Sequence, residues 1–537
     1  MDVLYWSAIY SLILIVYLRF KHMKIYQYTI LLMAALFLGS CAKDLGNYEY
    51  KDINDVKITG LLGAYTARRG VDTLRIKPTL AATMDQGDTS RYQYLWIVRQ
   101  GNVLDTIGYH KDLAYPVTLE PLAYKLFYRV RDKQTGVEWQ SNADLIIGTP
   151  YSRGWLIMGE DEQGYAEAEM LSIQNDTLHL KHILSESGLP KLQDPVSFQH
   201  TGGGLDAYIK LWTMTKSGSY FLDRVTMKAT PANDMSRVLY VSETVDPQTY
   251  HPIVIAPQMR TAAGATSTGN YRVMLTKAGD IFAAFLAING GDFYNNPINR
   301  VATAQEVRIP AAPYLLYATG SMTTAMWYDT VNDRFLNYSG FGFGTSSTVL
   351  PDVAGAAFPW NQGTTGRKLV YAENTRNTDG GSTNGNSFAI MKDPANVHHI
   401  YKFYANGAAP AKRAAYVVSP LARDFDKANF YAFSSNRTVV FYSVGNKLYC
   451  YDYNPGNERF YEYNLTGGDQ ITMLKFDTQV DHAANSLYIA SYNTNTKGTL
   501  GRFVVGNNPN VVDLTLAPKS SWSGLVKVKD INWRAVN

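Results

Sequence analysis

Three observations predict an all-β fold. Aromatic residues make up 13% of the 537-residue chain, and 39 of its residues are tyrosine; rings and β-branched side chains fit a pleated, half-buried surface. Short runs of alternating apolar and polar residues are separated by Gly, Asn, Asp and Pro clusters, which is the pattern of strands and turns. No helical period lasts longer than about two turns, the best helical candidate being Ala166 to Ile173.

Residues 1–40 read as a signal region and stand outside the fold. Lys24 supplies a positive start, Ile30 to Leu38 is an unbroken apolar run, and Leu38-Gly39-Ser40-Cys41 follows. The run is shorter than the ~20 residues that a membrane-spanning helix needs. The tetrad resembles the bacterial lipobox, which implies cleavage before Cys41 and lipid attachment to its thiol. A second apolar run, Val3 to Leu18, precedes Met23. A second signal ahead of a lipobox has no evident purpose, so translation is expected to start at Met23. With Cys41 acylated, Cys450 has no disulfide partner in the chain. Its strand-like setting, Lys447 to Tyr451, predicts a buried, inert thiol. An exported chain without disulfides relies on core burial, and this one is long enough for it.

Residues 41–148 read as a small sandwich of the immunoglobulin-like kind. Leu74 and Ile76 alternate before Pro78; Tyr94, Trp96 and Val98 alternate in the next run, and Tyr124, Leu126, Tyr128 and Val130 in a third. Such spacing places alternate residues on one strand face. A buried Trp on a central strand with a Tyr-bearing strand some way on suits a sandwich, although the cysteine pair of antibody domains is missing.

Residues 149–537 carry weak internal repetition. Met214 to Phe221 (MTKSGSYF) parallels Leu275 to Phe282 (LTKAGDIF) at an offset of 61 residues. Tyr328 to Phe335 resembles Tyr451-Asp452-Tyr453-Asn454 followed by Glu458-Arg459-Phe460. Further units open near Trp155, Leu369, Val439 and Ile471. Units of roughly 50–60 residues predict a β-propeller of about seven blades, whose radial repetition leaves only short edges. Stacked sandwiches are the rival, but no Pro/Ser-rich linker breaks the chain after Pro150.

The residues after Cys41 carry a resemblance to a known family. Asp44-Leu45-Gly46-Asn47-Tyr48-Glu49-Tyr50 and then Asp52-Ile53-Asn54 look like the start of the PKD-like family lipoproteins. The Trp96 strand, Tyr128-Arg129-Val130-Arg131-Asp132 and Gly154-Trp155-Leu156-Ile157-Met158 agree with it. The resemblance covers the front third of the chain. It implies a lipid-anchored protein of the outer membrane facing the cell exterior, with SusC/SusD-like importer proteins as partners and a glycan or oligopeptide as ligand. The expected role is then non-catalytic binding beside the importer. The alternatives are a propeller hydrolase or lyase acting on polysaccharide, and a purely structural importer subunit.

The net formal charge of +4 on so long a chain lacks the basic footprint of a nucleic-acid binder. No zincin, P-loop or zinc-cysteine motif is present, and no cofactor or metal is expected. Ser267, in Gly264 to Gly269, lacks nucleophile-elbow spacing. Gly340 to Gly344 alternates glycine with Phe and reads as a packed strand rather than a dinucleotide loop. His398 and His399 are adjacent, so on a strand they point to opposite faces. Asp452 to Glu458 has the oxygen content of a calcium loop, but Asn-Pro-Gly-Asn is also an ordinary turn. Glu160, Asp161 and Glu162 read as solvated charges rather than a catalytic pair. Phe293-Tyr294-Asn295-Asn296-Pro297 and Phe358-Pro359-Trp360-Asn361-Gln362 set rings beside amides in apparent loops. Tyr294, Trp360 and Trp522 are the candidate ligand contacts, because aromatic faces with polar handles are frequent in recognition surfaces. Asn377 to Ser387 reads as an exposed, flexible polar tip.

Overall fold

The computed structural model describes residues 53–535 except 175, 203–208, 245, 247–249, 258, 261–265, 268–270, 292, 321, 341–343 and 482. Cys41, Met23 and the whole signal region lie outside the described residues, as does the family-like stretch up to Asp52. No helix among the described residues is long and apolar enough to cross a membrane.

The chain divides into two compact units. One holds residues up to Gly63 with Arg75–Ala114 and Lys125–Ala143; the other holds Ala64–Leu74, Tyr115–Tyr124 and Asp144–Asn537. In the first, strand Tyr92–Gln100 is flanked by Val103–Gly108 and Ala123–Asp132. Trp96 stands opposite Tyr128 in register, the two rings 4.3 Å apart and both fully buried. The indole N–H donates to the His110 carbonyl at 2.9 Å, which meets the need of a buried polar atom for a partner. Asn54 is buried as well, its amide donating to the Tyr92 hydroxyl at 2.7 Å.

The second unit is a succession of small antiparallel sheets. Sheet I orders Thr177–Leu180, Ala166–Ile173, Arg153–Glu160 and Lys527–Ala535. Sheet II is Pro195–His200, Leu211–Thr215 and Ser219–Leu222. Sheet III is Pro252–Ile255, Tyr271–Thr276 and Ile281–Phe285. Sheet IV is Ala325–Asp329, Arg334–Tyr338 and Thr348–Val349, with Leu316 bridged to Met326 at its first edge. Sheet V runs from Lys368–Asn374 through Ser387–Lys392 and His398–Tyr404 to Ala411–Val417. Sheet VI runs from Phe430–Phe433 through Val439–Val444 and Lys447–Asp452 to Arg459–Tyr463. Sheet VII runs from Gln470–Phe476 through Ser486–Asn493 and Lys497–Val505 to Leu514–Leu525.

Each sheet packs on the next. Met158 and Met170 of sheet I meet Phe198 and Leu211 of sheet II. Trp212 and Met214 then meet Met274 and Phe282, and Val273 and Leu275 meet Trp327 and Leu336. Met326 and Phe335 meet Tyr401 and Phe403, Phe388 and Ile400 meet Phe433 and Tyr442, and Phe441 and Cys450 meet Ile471 and Leu487. The series returns on itself, because Met473 and Tyr488 of sheet VII pack on Trp155 and Trp533 of sheet I. Neighbouring residues on a strand point to opposite faces, so Met326 and Trp327 serve two different cores. The arrangement is all-β and propeller-like.

This double burial explains where the sequence reading fails. Ala166–Ile173, the best helical candidate, is a strand with seven of its eight residues buried; covered on both faces, it shows no polar alternation. The repeat at offset 61 marks the second-to-third-strand hairpins of sheets II and III. The Tyr328 and Tyr451 hairpins hold different places, second-to-third in sheet IV counting its Leu316 edge and third-to-fourth in sheet VI. Gly498 marks a close approach, since a Cβ there would lie 2.0 Å from the Val526 carbonyl oxygen. Gly340 to Gly344, read as a packed strand, includes residues 341–343, which lie outside the described residues.

Candidate functional site

The first-edge segments of sheets II to VII and the C-terminal strand of sheet I line one cavity of about 410 Å³. Several of these segments carry polar side chains two residues apart, hence on one strand face. Ser197 and Gln199 come from sheet II, Tyr371 and Glu373 from sheet V, and Asp530 and Asn532 from sheet I. Sheet III adds Ile253, sheet IV Tyr314, sheet VI Phe433 and sheet VII Lys475.

The polar groups form two networks. In the first, the Lys475 ammonium donates to Asp530 Oδ1 and to the Ile531 carbonyl, each at 2.8 Å. Asp530 Oδ2 accepts from the Ser197 hydroxyl at 2.5 Å and from the Asn532 amide at 2.7 Å. Gln199 donates to the Ile255 carbonyl at 2.7 Å. In the second, Glu373 Oε2 accepts from the Tyr371 hydroxyl at 2.6 Å and Oε1 accepts from the Phe433 backbone N–H. The Tyr371 ring lies 5.6 Å from Tyr314 and 5.3 Å from Tyr431. Burial among these rings pushes the Glu373 carboxyl up to about 7, against the pull of its two hydrogen bonds and of Lys475; a carboxylate loses more on leaving water than the neutral acid does. Burial and the adjacent Glu373 likewise hold the Tyr371 hydroxyl well above the usual phenol range.

The cavity carries a charge pair on one side and a ring of aromatics around a protonatable carboxyl on the other. Aromatic faces beside a few oriented hydrogen-bonding groups are the features common to small-molecule pockets. Each of the four carboxylate oxygens is already engaged by a protein donor.

The residues singled out in the sequence lie elsewhere. Tyr294 is fully buried in the core between sheets II and III, and Trp360 is 3% exposed between sheets IV and V. Neither presents its ring to solvent, which corrects the expectation of exposed loop aromatics; tertiary packing covers both. Trp522 is half-buried on strand Leu514–Leu525 against the core of sheets VII and I, on a strand rather than in a loop. The stretch 377–387 is exposed only in part: Thr378 to Gly381 and Thr383 are exposed, whereas Asn377, Ser382, Asn386 and Ser387 are buried, and Asn377 donates to the Ser435 carbonyl at 2.9 Å.

Other candidates have structural partners. Glu160 pairs with Lys527 and Lys529, Asp161 accepts the Gln163 and Tyr165 N–H groups, and Glu162 pairs with Lys497. His399 bonds Asp393 at 3.0 Å, while His398 stands edge-on to Phe425. Asp452 accepts the Asn454 N–H, and Asn457 bonds back to Asn454 in a turn. Ser267 lies on the two-residue strand Thr266–Ser267. Cys450 is buried, its thiol pushed well up by desolvation. Among the described residues no group of three or more His, Cys, Asp and Glu side chains is placed to hold a metal. Glu373, Lys475 and Asp530 were missed in the sequence. The polar pairs Tyr371 with Glu373 and Asp530 with Asn532 at i and i+2 are a local signal for two of them, while Lys475 stands without such a pair on strand Gln470–Phe476.

Residues 41–194 match the PKD-like family. The match takes in all the first unit's described residues and the strands of sheet I up to Leu180, ending where Pro195–His200 begins. No curated protein matches the chain. Among solved structures, a quinonprotein alcohol dehydrogenase-like protein from Bacteroides thetaiotaomicron is 12% identical, with 88% of this chain and 96% of that one covered and a TM-score of 0.36. The dihydro-heme d1 dehydrogenase NirN is 8% identical over 80% of this chain and 74% of that one, TM-score 0.33. An ancestral GH74 enzyme is 10% identical over 72% and 54%, TM-score 0.35. At such scores the likenesses carry no argument about chemistry.

Proposed function

We propose that this chain is a non-catalytic binding lipoprotein of the outer membrane. It is anchored through lipid on Cys41, faces the cell exterior, and serves a SusC/SusD-like importer of glycan or oligopeptide. In this reading the seven sheets are the blades of a propeller over residues 149–537, carried on a PKD-like sandwich of residues 41–148. One observation carries it: all seven sheets contribute to a single cavity that mixes aromatic faces with hydrogen-bonding groups. The lipobox-like tetrad and the family-like stretch through Asn54 support the anchor and the partner.

The test is titration of the purified protein with panels of neutral oligosaccharides and oligopeptides. Saturable binding without product is expected. Tyr314→Ala is expected to weaken it about tenfold, equivalent to ~1.4 kcal/mol. Absence of binding to either panel would remove the cavity as a ligand site. Purification from detergent-solubilised outer membrane is expected to bring down SusC/SusD-like proteins; recovery of the chain alone counts against the importer role.

A hydrolase or lyase is the second reading, and one observation favours it. Glu373, held near 7, and Asp530, paired with Lys475, line the same cavity, and a carboxyl raised toward neutrality is suited to general acid work. Product formation from any glycan, abolished by Glu373→Gln and by Asp530→Asn, would establish it over the first.

A further inference from the structure

A second cavity, of about 290 Å³, lies away from the central one, lined by residues of the 240–242 and 295–298 segments with Ala283 of sheet III, Tyr338 of sheet IV and residues 344–345. Its size is near the low end of small-molecule pockets, roughly 300–1,000 Å³.

Its wall is built rather than accidental. Tyr240 is 61% exposed, yet its ring is backed by Phe293, the centroids 4.9 Å apart and the planes 29° from parallel. The backbone beneath is tied at two points. The Tyr240 N–H donates to the Tyr294 carbonyl at 2.7 Å, and the Tyr294 N–H donates to the Val238 carbonyl at 2.8 Å. Asn296 locks the next turn, its Oδ1 accepting the Ser242 N–H and its amide donating to the Ser242 hydroxyl, each at 2.8 Å. Asn295, between these anchors, is exposed. The sequence motif that suggested rings beside amides thus acts through Phe293, Asn295 and Asn296, while Tyr294 is the buried support.

The chemistry of the lining selects the ligand. Among the described residues that line it, none is ionisable at neutral pH, and the nearby Glu243 is taken up by Arg300 at 2.9 Å. A charged ligand would find no counter-charge. What is offered is a flat aromatic face, an amide with both donor and acceptor, and the exposed hydroxyls of Ser242 and Thr345. A neutral sugar ring matches all three: its C–H face packs on an aromatic ring while its hydroxyls donate and accept. A peptide would bring backbone groups that call for a strand edge, and this wall presents side chains.

We propose that this pocket is a separate carbohydrate site, in which a neutral sugar ring stacks on Tyr240 and hydrogen-bonds to Asn295 and to the Ser242 and Thr345 hydroxyls. It does not depend on the central cavity, and the two fail independently.

The test is ligand-observed NMR on the whole protein with maltotriose, cellotriose, xylotriose and N,N′-diacetylchitobiose, with a neutral tripeptide alongside. Saturable transfer from at least one sugar is expected. To separate the two sites the series is read in a Tyr314→Ala background, where Tyr240→Ala and Asn295→Ala are each expected to weaken the remaining transfer about tenfold and Tyr240→Phe is expected to retain it. Both Tyr240 and Asn295 are exposed, so the variants are expected to melt with the wild type. No transfer from any of the four sugars, transfer from the tripeptide alone, or sugar transfer that Tyr240→Ala leaves undiminished in the Tyr314→Ala background would overturn the proposal.

Discussion

Ending the chain after Val526 is expected to abolish the cooperative fold of the second unit. The lost strand, Lys527–Ala535, pairs with Arg153–Glu160 along its whole length and closes sheet I. It carries Val528, Ile531 and Trp533 into the core between sheets VII and I, where the Trp533 ring stands edge-on to Trp155 at 5.2 Å. Full burial of a large apolar side chain is worth about 1.5–3 kcal/mol, so three of them reach the scale of a whole domain's net stability, about 5–15 kcal/mol. The deletion also exposes the edge of Arg153–Glu160 and removes Asp530 from Lys475. Near-ultraviolet circular dichroism and limited proteolysis read the outcome. Loss of the near-ultraviolet signal with rapid cleavage after residue 150 is expected; a truncated chain that melts within a few degrees of the full one would refute this role for the last strand. The single substitution Trp533→Ala is expected to cost about 3–5 kcal/mol, the usual figure for a large aromatic removed from a core.

Glu373→Gln is expected to flatten the pH dependence of stability and to stabilise the protein above neutrality. The Glu373 carboxyl ionises near 4.5 when unfolded and at about 7 in the fold. Between these values the folded chain holds a proton that the unfolded chain has lost, so stability falls as pH rises. The slope is about 1.4 kcal/mol per pH unit at most. The contribution is whole below 4.5, is lost across the interval up to 7, and stays lost above it. The groups facing Glu373 are Tyr371 on its own strand, the Phe433 N–H of sheet VI and Lys475 of sheet VII. Glutamine keeps an acceptor for the Phe433 N–H and never ionises. Urea melts at pH 4.5 and pH 8 are expected to show wild type and variant alike at the lower pH and the variant ahead at the higher. Parallel profiles at both would mean that Glu373 is ionised in the folded protein across this range.

Much of the fold was legible because strand-and-turn chemistry is local. Gly, Asn and Asp clusters mark the hairpins wherever they occur, and Asn-Pro-Gly-Asn at 454–457 is a turn on its own terms. Leu126, Tyr128 and Val130 declare a buried face by alternation, since one side of their strand is buried and the other is partly exposed. The offset of 61 residues between two hairpins is likewise a local pattern, repeated.

The site was not legible in the same way. Tyr294 and Trp360 sit beside Asn and Pro, as loop residues do, but each is covered by a neighbouring sheet. Glu373, Lys475 and Asp530 stand on three strands far apart in the chain, and nothing near any of them names the other two. By itself the sequence determined the β-rich class, the turns, the inert Cys450 thiol and the strand faces that alternate between wet and dry. The tertiary structure decided which rings are buried, which polar pairs converge on one cavity, and that the last strand completes the first sheet. The physical reason is that sheets packed on both faces bury most positions of their central strands, so polarity along the chain stops reporting which side faces water, and only the closure of sheet on sheet determines what each side chain meets.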